Sequence, residues 1–144
     1  MGFLRHQAGS RHVLIRMDLA KQILLVKADR VQLQQVVLNL IMNAMDAITD
    51  TKTLETEIVI RSRRNSSDEA LVAVEDCGTG VKPEIASKIF DPFFTTKPHG
   101  IGMGLSISRS IIESHEGKLW MSTSPTGGAL FQFALPIHSK DSDE

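Results

Sequence analysis

Cysteine is nearly missing from this chain of 144 residues, with Cys77 the single example. A lone thiol excludes an internal disulfide framework and any zinc site built from several cysteines, and it fits a reducing compartment. Charge of one sign is lacking too, since 16 Lys plus Arg oppose 17 Asp plus Glu for a formal net charge of -1. Without a basic excess the chain has no electrostatic footprint for a phosphate backbone, so general nucleic-acid binding is not expected. No apolar run approaches the ~20 residues of a membrane helix, and residues 1–10 lack the apolar core of a signal peptide. Direct membrane contact is therefore not expected, and the cytoplasm is the expected location. Met1-Gly2 is followed by His6 where a myristoylation site carries Ser or Thr. Internal repeats and a Gly-Lys-Ser/Thr Walker sequence are also absent.

What is present is an ordinary globular composition, 42% hydrophobic and 23% charged, of a length that suits one domain. Residues 1–10 read as a disordered or artificial lead, 11–137 as the folded domain and 138–144 as a frayed tail. His12 to Asp18 alternates and Ile23 to Val26 is a short apolar run, so both are expected as strands. Asp29, three residues before Gln32, caps a helix that runs without Gly or Pro to about Thr49. Glu57 to Arg63 and Ala70 to Glu75 form a hairpin across the polar turn Arg64 to Asp68. Pro83 opens a short helical stretch to about Phe90. The Pro- and Gly-rich segment up to residue 103 follows, and it is expected to be mobile. A helix then runs from Gly104 to near Gly117, where the glycine is expected in a left-handed conformation. Lys118 to Thr123 and Ala129 to Pro136 close the domain as two strands.

On the long helix Gln32, Gln35, Asn39, Asn43, Asp46 and Asp50 fall within about 80° of arc. The remaining faces are apolar, so the helix is expected to be largely buried, with this stripe as its polar outlet. A solvated face is usually built from long charged residues, whereas Asn and Asp are poor helix formers that serve as short, stiff ligands. Asn39, Asn43 and Asp46 therefore read as facing a bound polar ligand. An amide oxygen suits Mg²⁺, which shares its shell with substrate phosphates, and this points to a nucleotide.

Two glycine clusters extend that reading. Asp76-Cys77-Gly78-Thr79-Gly80 holds an acid at a strand end beside backbone that can approach a ligand closely, and the carboxylate could accept the exocyclic amine of adenine. Gly100-Ile101-Gly102-Met103-Gly104 leads directly into a helix, whose free N–H groups and dipole favour phosphate. It is not a Rossmann fingerprint, because position 105 is Leu. Phe90-Asp91-Pro92-Phe93-Phe94-Thr95-Thr96-Lys97 precedes it. The aromatic residues there can anchor a loop, bind a partner or do both, and Lys97 can pair with a phosphate.

In this order the four motifs, Asn-x3-Asn-Ala-x-Asp-Ala, Asp-x-Gly-x-Gly, Phe-Asp-Pro-Phe-Phe-Thr-Thr-Lys and Gly-x-Gly-x-Gly-Leu-Ser-Ile, resemble the catalytic ATP-binding domain of bacterial sensor histidine kinases. That family shares its superfamily with gyrase B, MutL and heat-shock chaperone ATPases. The resemblance spans about residues 10–137, includes the closing Gly127-Gly128-Ala129-Leu130-Phe131-Gln132-Phe133-Ala134-Leu135-Pro136 strand, and is nearest to soluble or PAS-linked oxygen- and nitrogen-sensor kinases. It implies the Bergerat fold, an α/β two-layer sandwich in which helices cover one face of a mixed, mostly antiparallel sheet and a mobile lid closes over ATP.

The resemblance implies that Asn43 coordinates Mg²⁺, with Asn39 supporting the phosphates or the metal and Asp46 lining the same wall. Asp76 takes the adenine amine beside Gly78 and Gly80. Gly100, Gly102 and Gly104, with Leu105, form the lid hinge and the phosphate-facing helix start, and Lys97 reaches a terminal phosphate. Asn39, Asn43 and Lys97 are thus the expected catalytic residues. Phe90, Phe93 and Phe94 resemble the segment that meets the helical dimerisation domain.

In hydrolytic relatives an acid one turn before the metal-binding Asn activates water. Here that position is Asn39, which favours transfer over hydrolysis, because general-base assistance is worth typically 10² to 10⁴ in rate and positioning carries most of phosphoryl transfer. No histidine of this chain stands in a His-Glu-x-x-x-Pro context, and His115 instead reads as a cap on the last carbonyls of its helix. The phosphoacceptor is therefore expected on a dimerisation domain outside this chain, with a response regulator downstream and the isolated domain monomeric. A nucleotide-gated binding module and an anti-sigma-type serine kinase of the same fold are the competing readings.

Overall fold

A computed structural model describes residues 2–8, 11–49, 55–77, 84, 88–91, 104–125 and 127–138. One sheet of six strands organises them: β1 (Gly2–Ala8), β2 (Arg11–Asp18), β3 (Glu55–Arg64), β4 (Glu69–Asp76), β5 (Lys118–Thr123) and β6 (Ala129–Pro136), in the order β1-β2-β3-β4-β6-β5. Only β2 and β3 pair in parallel, with Ile15 opposite Ile58, and the long helix α1 (Arg30–Thr49) makes the crossover that a parallel pair requires. The other four pairings are antiparallel. The second helix, α2 (Gly104–Ser114), lies beside α1 and against β5 and β6.

Local chemistry explains the element ends. Asp29 caps α1 as its spacing predicts, its Oδ1 accepting the Gln32 N–H at 3.1 Å while its carbonyl accepts the first helical bond from Leu33. At the β3–β4 turn Asn65 Oδ1 accepts the N–H groups of both Ser67 and Glu69. The end of α2 differs from expectation. The left-handed residue is Glu116, at φ 65°, and the Gly117 N–H reaches back to the Ile112 carbonyl at 2.9 Å while Glu116 N–H reaches Glu113. This is a Schellman ending with the glycine one place later than predicted. Position 117 needs glycine for space, because a Cβ there would overlap the Ala134 carbonyl oxygen of β6.

Two further expectations change. Ile23 to Val26 is not a strand, since its one sheet-like pairing is the bridge between Val26 and Ile137, and Ile23 is exposed. Residues 2–8 form β1 rather than an irregular lead, because they find the open edge of β2, from Gly2 opposite Met17 to Ala8 opposite Arg11. The pieces of the expected Pro83–Phe90 helix that are described are Glu84, which is helical, and a turn at 88–90. The segment 92–103 and the tail 139–144 lie outside the described residues.

The core lies between the helices and the inner face of the sheet, where Val36 and Leu40 of α1 and Ile112 of α2 meet Ile58, Val74, Phe131, Phe133 and Leu135. Burial of α1 is one-sided, against expectation. Val31, Leu38 and Met42 are exposed, because the sheet covers the Val36, Leu40 and Ala44 line and α2 covers the amide flank, which leaves the opposite apolar flank open. A cavity of ≈ 690 Å³ with mainly apolar walls lies along that flank, between Leu33, Val37, Leu38 and Ile41 and the sheet residues Val72, Phe133 and Leu135. Among the described residues no helix is long and apolar enough to cross a membrane.

Candidate functional site

Asp76 ends β4 on the inner face of the sheet and is 2% exposed. Its Oδ1 accepts the Ala129 N–H at 3.2 Å. The β5–β6 turn closes tightly upon it. The Ser124 N–H donates to the Gly128 carbonyl at 2.8 Å, and a Cβ on Gly128 would overlap both the carbonyl oxygen and the carboxylate of Asp76. Gly128 thus forms part of the candidate site, a role its place in the turn between β5 and β6 does not by itself reveal. The doublet of glycines before an alternating strand was the available signal.

The turn is fastened from the outer face. The Ser124 hydroxyl donates to Glu75 Oε2, and Arg61 of β3 donates to Glu75 Oε1 at 2.6 Å. Burial pushes the Glu75 carboxyl up, but the Ser124 hydroxyl and the Arg61 guanidinium outweigh it and hold the group below its ordinary value of 4.5. The sign follows from that depression. The stabilisation is complete above pH 4.5, the unfolded value, and is lost as pH falls through the lower folded value. Glu75→Gln, which keeps one acceptor oxygen, is expected to lower stability at pH 7 by about 1 kcal/mol, the typical net worth of one hydrogen bond. In urea unfolding the gap between variant and wild type should close on acidification below pH 4.5. A gap independent of pH would exclude this role.

Of the stripe expected to face a polar ligand, Gln32 and Gln35 are exposed, whereas Asn39 is turned onto α2. Asn39 is half-buried, and its Nδ2 donates to the Gly104 carbonyl at 3.3 Å and to the buried Ser108 hydroxyl at 3.1 Å. Its Oδ1 accepts from Gln35 Nε2 at 2.9 Å. Asn43, one turn later, is half-buried on the same flank. The start of α2 therefore lies against Asn39, with the first-turn N–H groups of Gly104 and Leu105 at the same end. At the other end of α2, His115 Nδ1 donates to the Ile111 carbonyl at 2.7 Å, which is the capping role expected of it. Its Nε2 accepts the Asp29 N–H at 3.0 Å, which was not expected.

Phe90 packs inward. Its ring meets Phe131 edge-on at 6.4 Å, and the Arg109 guanidinium lies 4.9 Å over it, so this residue anchors its segment to the core. Gly78, Gly80, Phe93, Phe94, Lys97, Gly100 and Gly102 lie outside the described residues, as does the side chain of Asp46. Among the described residues no group of three or more His, Cys, Asp or Glu could hold a metal ion. The apolar cavity beside α1 is lined by neither Asn39, Asn43 nor Asp76, so it is separate from this site.

Comparison with known proteins bears on the family and the fold. Residues 28–139 match the family described as histidine kinase-, DNA gyrase B-, and HSP90-like ATPase. The chain is 44% identical over 131 residues to the sensor protein FixL of Bradyrhizobium diazoefficiens, covering 90% of this chain and 26% of that protein. It is 40% identical over 113 residues to the histidine-protein kinase AtoS of Escherichia coli K12, covering 78% and 18%. The nucleotide-free catalytic domain of the histidine kinase ThkA superposes with a TM-score of 0.75 at 36% identity, over 87% of this chain and 79% of that one. A full-length ShkA structure in complex with AMPPNP shares the fold at a TM-score of 0.75 and 24% identity, over 88% and 26%. The chain thus spans about a quarter or less of FixL and AtoS. It belongs to the histidine kinase-, DNA gyrase B- and HSP90-like ATPase family, and its Bergerat-type α/β sandwich is the catalytic ATPase part found in sensor histidine kinases.

Proposed function

We propose that this domain binds ATP with Mg²⁺ and passes the γ-phosphate to a histidine on a helical dimerisation domain, within a cytoplasmic two-component relay that ends on a response regulator. One observation carries the reading: a buried carboxylate at the end of β4 and an amide flank on α1 border the same helix-covered layer, where the amide flank is bonded to the first turn of α2. In this reading Asp76 accepts the adenine amine, and Gly78 and Gly80 let the base lie close. The first-turn N–H groups of Gly104 and Leu105 face the phosphates, Lys97 meets the terminal one, and Gly100 and Gly102 let the intervening segment close. Asp46 lines the wall. Phe93 and Phe94 contact the dimerisation domain from a segment that Phe90 anchors, and the isolated domain is monomeric.

The donor set fits a cation that arrives on the nucleotide. The half-buried amide of Asn43 suits Mg²⁺ that keeps its waters and phosphate oxygens and takes one neutral oxygen from the protein. Bound there, Mg²⁺ would neutralise charge on the phosphates. The chain's own residues supply position: both N–H groups of Asn39 are engaged on α2, so it offers no proton and, being an amide, no base to activate water. Phosphate is thereby held for a nucleophile that needs little activation, the imidazole of a partner domain.

Calorimetric titration with a non-hydrolysable ATP analogue tests this. Wild type should bind more tightly with Mg²⁺ than without. Asn43→Ala should lose that enhancement, by about 10-fold or 1.4 kcal/mol, and keep its Mg²⁺-free affinity. With γ-labelled ATP and a supplied dimerisation domain, label should appear on histidine. Binding without transfer would replace the kinase reading by a nucleotide-gated module, and label on serine would replace it by a serine kinase of the same fold.

A further inference from the structure

Ser108 stands in α2 with no exposure, one turn after Gly104, and its hydroxyl is bonded to the Asn39 amide of α1. A serine in a helix interior is a poor helix former and costs polar burial unless its oxygen is used. Its use here is specific. An amide nitrogen has two hydrogens, and Asn39 directs one to the Gly104 carbonyl and the other to Ser108 Oγ. Gln35, one turn earlier on α1, holds the amide oxygen from the other side at 2.9 Å. The side chain is thereby fixed in one of its two amide orientations, with nitrogen toward α2.

We infer that Ser108 is a positioning residue of the nucleotide site: through Asn39 it sets the distance and rotation of the first turn of α2 relative to α1. This rests on the ATP-binding reading above and deepens it. The first-turn N–H groups of α2 bind a phosphate only if their fan points at it, and a helix of 11 residues pinned at its C-terminal end by His115 can still pivot at its start. The pin at the start is Asn39, and two contacts rather than one prevent its amide from flipping. With a hydrogen at each contact donated to α2, the outward-facing capacity left on Asn39 is an oxygen lone pair. That suits a cation or water rather than a phosphate oxygen. Asn39 therefore acts on phosphate affinity through α2.

The test is a double-mutant cycle on Asn39 and Ser108, read by titration of the isolated domain with the non-hydrolysable ATP analogue and Mg²⁺. Urea unfolding and amide exchange across residues 105–110 are measured on the same four proteins. Ser108→Ala is expected to weaken nucleotide binding about 10-fold and to speed exchange in the first two turns of α2. Asn39→Ala should do at least as much, and the double variant no more than Asn39→Ala alone, because one residue acts through the other. Ser108→Thr, which keeps the hydroxyl, should bind more tightly than Ser108→Ala. Additive losses, unchanged affinity in Ser108→Ala, or a loss that merely tracks global stability with no local change in exchange would each overturn the inference. If wild type bound no nucleotide the ATP-binding reading would fail, and the Asn39–Ser108 latch would still be decided by exchange: acceleration confined to residues 105–110 supports it, and none refutes it.

Discussion

Asp76→Asn is expected to weaken binding of the ATP analogue by about 100-fold, or 2.8 kcal/mol, while leaving the domain folded. The substitution changes no more than one oxygen to an NH₂ group, so its effect depends on what the carboxylate faces. On one side Oδ1 takes the Ala129 N–H at 3.2 Å, in a pocket 2% exposed, where an unmade hydrogen bond carries its full desolvation cost. On the other side, in the proposed site, an adenine amine also donates. Asp76 must therefore accept in two directions, and a carboxylate can. An amide has one acceptor oxygen, so whichever way the substituted side chain turns, a donor meets a donor. Sites built to bond a particular donor discriminate strongly against its loss. The same logic predicts a change of preference: a base with a carbonyl where adenine has its amine should gain relative to ATP, because the NH₂ of the new side chain can donate to it. Titration of wild type and variant with ATP and GTP analogues reads both effects. Equal ATP affinity in the two proteins would remove Asp76 from base recognition.

How much of this could be read from the sequence divides along a physical line. Elements set by local periodicity and by caps were legible. Asp29 and Gln32 mark the start of α1, the apolar alternations of β3 and β4 flank an Asx-type turn at Asn65, and β5 and β6 have the bounds expected of them. The amide stripe was legible as a polar flank, but not that its exposed members Gln32 and Gln35 would differ from Asn39, which is turned onto α2. What was not legible depends on partners distant in sequence. The edge strand β1 exists by pairing with β2, and the apolar residues of the Ile23 to Val26 run could not reveal that it would meet the sheet at a single bridge, just past the end of β6. The openness of the Val31, Leu38 and Met42 flank is a matter of which neighbours arrive, which periodicity does not encode. At the site, Asp76 and the Asn39–Asn43 pair announce themselves by residue type. The residues that hold them, Ser108, Ser124, Glu75 and Gly128, are ordinary types whose role is created by contacts across 49 to 69 positions.

Gly128→Ala is expected to be the most damaging single change near the site, and Gly127→Ala a mild one, although both replace neighbouring glycines of one turn. At Gly127 the backbone has φ +97° and nothing lies within 4 Å of an added Cβ, so the cost is conformational, about 1 kcal/mol. Gly128 has the opposite problem. Its φ is outside the left-handed range, yet its added Cβ would overlap the backbone and the carboxylate of Asp76, neither of which can yield as the tip of a flexible side chain can. Relief requires β4 and the start of β6 to separate at the pair next to Glu75 and Leu130, and that separation breaks the Ala129 bond to Asp76. Overpacking of this kind costs typically 1–3 kcal/mol and sometimes more. Gly128→Ala should therefore lose about 3 kcal/mol in urea unfolding and bind nucleotide weakly even where it remains folded, at low temperature or with added osmolyte. The pairing of the two effects matters more than either alone, because a turn that were merely a connector would lose stability in both variants without moving affinity. Nucleotide binding near the wild-type level in folded Gly128→Ala would show that the turn does not set the position of Asp76. A loss of affinity in Gly128→Ala but not in Gly127→Ala would tie adenine recognition to the close approach of this backbone, with Ser124 and Glu75 as the fastening that maintains it from the far side of the sheet.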